Sequence, residues 1–105
     1  MYKISTMLLL AALLPFASSA EESDPKATHV ICAAADAIIA TKMEPGIFAD
    51  SIKSEAQRHA NLARQYGATD SDISQALKAI QLAYNEGEWS WEKITELGQS
   101  CSQIR

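Results

Sequence analysis

Cysteine is scarce in this chain and never closely paired: Cys32 and Cys101 are the only two. Without a Cys-x-x-Cys spacing there is neither the ligand cluster of a structural zinc site nor a haem-attachment motif. Glycine is also sparse, and its four residues form no phosphate-cradling loop. No serine sits in a nucleophile elbow. The Asp-x-Asp of 70–72 lacks the remainder of a calcium loop. Basic residues are outnumbered, nine Lys and Arg against thirteen Asp and Glu. That balance excludes the basic stripe that grips nucleic acid and disfavours docking on anionic lipid. Sustained alternation and β-branched clustering are missing too, so nothing in the chain argues for strands.

A hydrophobic run of membrane-spanning length is the last absence. The longest apolar stretch, within "MYKISTMLLLAALLPFASSA", covers about 11 residues, whereas a spanning helix needs roughly 20. Lys3 before it and Ser18-Ser19-Ala20 after it give the pattern of a secretory signal peptide, predicted to be cut after Ala20. No cysteine at that cut offers a lipid attachment point. Residues 1–20 are therefore set aside, and 21–105 are expected to form a single helical domain with no membrane span. Removing Lys3 moves the formal charge from −4 to −5. The expected location is exported, periplasmic or secreted. Two cysteines in an oxidising compartment predict a Cys32–Cys101 disulfide, and a domain this small benefits from such a staple.

What the chain does have is helical punctuation. Asp24-Pro25 places a capping side chain before a proline at the first helical position. The spacing predicts helix from there to about Met43, stopped by Glu44-Pro45-Gly46. A second helix is predicted over about 47–66, with Phe48, Ile52, Ala56, Ala63 and Tyr66 as its buried stripe and Gly67 ending it. Thr69 and Asp72 resemble a capping box for a third helix reaching about Glu86. Ser90 is the cap of a fourth, with Trp89 and Ile94 spaced as a hydrophobic staple and Ile94, Leu97, Cys101 and Ile104 on one face. Short turns make neighbouring helices antiparallel. The expected fold is all-α, a small four-helix up-down bundle closed by one disulfide, which brings Cys32 and Cys101 to the same end. Gly98, one turn before Cys101, is expected where two backbones come close, opposite Ala35.

Polar residues near the cysteines supply the candidate chemistry. His29, Cys32 and Asp36 share one side of helix one. A disulfide-bonded sulfur has no thiolate to attack with, and His29 and Asp36 are two turns apart on one rigid helix, so a catalytic triad is not expected. The plain alternative makes both a solvated rim. His59 falls within the apolar stripe of helix two with Glu55 four residues before it. Antiparallel pairing would gather His29, Asp36, Glu55 and His59 on one seam. That seam reads as a hydrogen-bonded boundary histidine, a proton switch or a weakly specified metal site. Partner-binding candidates are Trp91 or Trp89 with Glu88 and Glu92, and Leu82 on the polar side of helix three.

In outline only (short, helical, exported, one disulfide) the chain is similar to small periplasmic acid-stress chaperones. It is similar in the same way to helical periplasmic immunity proteins that block a cell-wall amidase. No stretch carries either family's motif, so the similarity assigns no residue. The functional expectation is a non-catalytic protein-binding role, inhibitor- or immunity-like, with an envelope protein as partner, no cofactor, and a monomeric or weakly dimeric state. An acid- or stress-responsive holdase is the alternative, and a His/carboxylate metal-binding protein a lower one.

Overall fold

The computed structural model describes residues 24–105; the expected signal peptide lies outside them. Among the described residues all regular structure is helical: α1 Pro25–Lys42, α2 Ile47–Gln65, α3 Asp70–Asn85 and α4 Trp91–Cys101. The boundaries follow the capping chemistry. Asp24 accepts from the Ala27 amide, 3.1 Å, ahead of Pro25. Thr69 and Asp72 close a reciprocal capping box at 3.1 and 2.9 Å. Ser90 accepts from the Lys93 amide at 3.1 Å. Each side chain satisfies an amide that the first helical turn leaves without a partner. Gly67 and Gly87 follow α2 and α3 at positive φ, 97° and 80°, the left-handed conformation that glycine adopts without strain.

The four helices run up and down in alternation around α1. His29 meets His59 of α2, while Asp36 lies beside Glu55, so α2 is antiparallel to α1. Val30 packs near Ile73 at the start of α3 and Lys42 lies over Tyr84 at its end, so α3 is parallel to α1. Cys32 and Cys101 join α1 to α4 with Cα atoms 5.6 Å apart. Helix α1 packs against all three others, which touch one another only marginally. Its composition explains the position: Val30, the run from Cys32 to Asp36, and Ile38–Ala40 are all buried. A helix that is apolar nearly all round needs neighbours all round. The main core joins Ala34, Ala35, Ile38 and Ile39 of α1 to Ile80 of α3 and Ile94 of α4. Trp89 packs on the same cluster, as expected of the staple before Ile94.

Three expectations need correction. Phe48 and Tyr66, the two ends of the stripe expected on α2, are exposed; Ala63 and His59 are buried as expected, and Ala49 joins them. The partner surface on α1 is rich in alanine, so close packing selects the small face of α2 and turns the bulky ring outward. Ile104 lies beyond α4, which stops at Cys101; Arg58 donates to the Ile104 carbonyl at 3.0 Å and draws the terminal segment towards α2. Gly98 is tight against side chains of α1, not against the Ala35 backbone. A Cβ there would lie 2.5 Å from Ile39 Cδ1 and 3.4 Å from Asp36 Oδ1.

Candidate functional site

The small residues that let α1 and α2 approach also bury the polar residues between them. His29 is 4% exposed, Asp36 2% and His59 0%, so the solvated rim expected for His29 and Asp36 is instead an interior seam. The seam lies beside the disulfide, where α1, α2 and the end of α4 converge.

Its hydrogen bonds admit one consistent proton arrangement. His59 Nε2 is 3.1 Å from the Cys101 carbonyl, which can only accept, so this nitrogen carries the hydrogen. In the neutral ring Nδ1 is then an acceptor. It is 2.8 Å from His29 Nδ1, which must therefore donate. A relay results: His29 Nδ1–H to His59 Nδ1, and His59 Nε2–H to the Cys101 carbonyl. Arg58 Nη2, 3.3 Å from His59 Nε2, gives its hydrogens to Glu55 Oε1 at 2.8 Å and to the Ile104 carbonyl. Tyr66 lies nearly parallel to the His29 ring, centroids 5.9 Å apart.

Burial dominates the electrostatics. It pushes both histidines below the ordinary imidazole value, reinforced at each by the Arg58 charge. For His59 the Cys101 carbonyl and Glu55 pull the other way. Asp36 is pushed up to about 7, first by burial and next by the Glu55 charge, with Arg58 opposing. Glu55 is held below its usual range, chiefly by its bond to Arg58. The Oδ2 atom of Asp36 is buried with no hydrogen-bond partner among the described residues. A carboxylate oxygen in that state is costly, because solvation was lost without compensation.

The four polar residues thus fall on one seam but in two halves. His29 pairs with the far side of His59, while Asp36, Glu55 and His59 offer ligand atoms within 4.8 Å of one another. Those three could hold a cation. To do so His59 would release either His29 or the Cys101 carbonyl, and Glu55 would release Arg58, so the donor set is not pre-formed. Both sulfurs are in the disulfide, and among the described residues there is no free cysteine.

A groove of about 420 Å³ opens onto the Asp36 half, lined by Ile39, Met43, Ile52, Trp91 and Gly98 and by the polar Thr95, Gln99 and Ser102. Trp91 is half-buried there, its ring edge-on to Tyr84 at 6.1 Å. Trp89 is half-buried against the core with Lys93 over its ring at 5.2 Å. Leu82, Glu88 and Glu92 are exposed. The most exposed large apolar residues among those described are Ile47 and Phe48, each 77% exposed, at the start of α2. Sequence reasoning missed Arg58, Tyr66 and this exposed pair. Arg58 was legible as the i+3 partner of Glu55; Tyr66 against His29 depends on tertiary placement. No described helix is long and apolar enough to cross a membrane. No protein-family model, curated protein or solved structure matches this chain.

Proposed function

We propose that this chain is an exported, non-catalytic protein-binding module. The observation that carries the reading is the adjacent pair Ile47 and Phe48, exposed at the first turn of α2 on a disulfide-closed scaffold. A large aromatic side chain left in water on a rigid element is what a binding hot spot requires, and rigidity lowers the ordering cost of association. Leu82 is a further exposed apolar residue, and the chain's net charge of −4 favours a basic partner. The non-catalytic part rests on chemistry already described: the sulfurs are oxidised, and both His59 nitrogens are engaged within the fold.

A photo-crosslinker at position 48, with one at exposed Lys78 as control, tests the reading in envelope extract. A discrete adduct at 48 that unlabelled protein competes away, and that the control lacks, supports it. Identical adducts at both positions contradict it.

The buried histidine pair favours a second reading, acid-triggered client binding. His29 takes a first proton at Nε2 without disturbing the relay, but with both rings cationic two N–H groups oppose each other across 2.8 Å, which works against the seam that joins α2 to the disulfide-tied α1 and α4. Under this reading, dye-accessible apolar surface rises as pH falls below the ordinary imidazole value while helicity persists. Substituting His59→Gln blunts the rise; an unchanged rise contradicts the reading.

A further inference from the structure

We propose that the groove between α1, α2 and α4 is a binding site for a primary ammonium group on an apolar stem, with Asp36 as its counter-ion. The inference is independent of the Phe48 surface and goes beyond the protein-binding reading. Three observations converge on it. Asp36 is 2% exposed, lines the groove and has an Oδ2 atom with no hydrogen-bond partner among the described residues. An ammonium supplies three donors and the opposite charge, which is what the Asp36 carboxyl lacks; Oδ1 is the oxygen on the Gly98 side of the groove.

The walls supply the second observation. Ile39, Met43, Ile52 and Trp91 are apolar and suit an alkyl or aryl stem, and the other lining side chains besides Asp36, those of Thr95, Gln99 and Ser102, are uncharged. The pattern is a largely apolar cleft with one charged group at a fixed point, the form that small-molecule sites take.

Gly98 is the third. It lies inside α4, has no positive φ, and weakens the helix relative to alanine. Its backbone does not require glycine. A Cβ would press on the end of the Ile39 side chain, which would have to shift, and reach 3.4 Å from Asp36 Oδ1, narrowing the groove beside the carboxyl.

The neighbouring charges leave the position to an incoming cation. From α2, Arg58 faces the seam but is spent on Glu55 and the Ile104 carbonyl, and His59 is spent on His29 and the Cys101 carbonyl. With Glu55 and Arg58 cancelling, ionised Asp36 leaves one net negative charge. The groove-lining residues of α4 carry no titratable group, and Arg105, in the terminal segment, acts on Glu55.

The test uses the oxidised full chain and phenethylammonium, with 2-phenylethanol and phenylacetate as neutral and anionic controls, followed by calorimetry and by Trp fluorescence. Phenethylammonium should bind at pH 8 roughly tenfold or more tighter than the alcohol, and phenylacetate should not bind. Affinity should fall about tenfold from pH 8 to pH 6, as Asp36 takes up its proton. Folded Asp36→Asn should bind the amine no better than the alcohol, and Gly98→Ala should lose binding. Nα-acetyl-lysine methylamide, run in parallel, separates the two sources of such a group. Binding of phenethylammonium alone assigns the site to a free amine, and binding of the lysine mimic assigns it to a partner's side chain. Equal binding of amine and alcohol, failure of both amines to bind, or full affinity in Asp36→Asn or Gly98→Ala overturns the proposal.

Discussion

Asp36 and the histidine pair push the pH dependence of stability in opposite directions. Asp36 titrates in the fold at about 7, above its ordinary 3.8. Its raised value gives stability that is full below about pH 4 and lost as pH rises through about 7. His29 and His59 are lowered, so their contribution is full above about pH 6.5 and lost as pH falls through their folded values. Asp36→Asn should therefore raise stability at pH 8 by on the order of 4 kcal/mol and converge on the parent below about pH 4, read from urea unfolding. Parallel profiles for the two proteins would show that the buried carboxyl is solvated in some other way. His59→Gln retains a donor for the Cys101 carbonyl but does not titrate. It should shrink the stability lost as pH falls below about 6.5, and an undiminished loss would assign the acid limb to other groups.

At the scale of the helix, the ends are set by chemistry that one stretch of sequence carries. Asp24-Pro25, Thr69 with Asp72, and Ser90 all cap where local spacing places them. Helix α4 has only 11 residues and depends most on its cap. Ser90→Ala should cost about 1 kcal/mol in chemical denaturation, and a negligible change would mean that the Trp89 staple suffices alone. This is also why element order, turns and the cysteine pairing were legible in the sequence. The buried face of α2 was legible in part: Ala63 and His59 are buried and Ile52 packs on the core, as the stripe placed them, while its two ends, Phe48 and Tyr66, are exposed. Hydrophobicity favours Phe48, yet the contact with α1 is chosen by closeness, which rewards Ala49 and Ala63. The candidate site was half legible: spacing and antiparallel pairing bring His29, Asp36, Glu55 and His59 together. The interior position of His29 and Asp36, and the roles of Arg58 and Tyr66, depend on how near two helices come, and no single stretch encodes that.

For the whole molecule, α1 is the common support. The other three helices touch one another only marginally, so each leans on α1, and the disulfide fastens α4 to it across a separation of 69 residues. On the chain-entropy model that crosslink is worth about 4 kcal/mol, a large share of a small domain's net stability. Replacing both cysteines by alanine should lower the thermal midpoint by many degrees, and a midpoint within a degree or two of the parent would remove the staple from the account. The same architecture builds the histidine relay and the groove between α1, α2 and α4, with His29 and the Asp36 carboxyl on α1 itself. Amide hydrogen exchange on the oxidised protein at neutral pH tests this most directly. The amides of Val30 to Ala40 should exchange slowest of all, at the rate of global unfolding, with α2, α3 and α4 opening at lower free energies. Faster exchange in α1 than in any of its three neighbours would contradict its place at the centre.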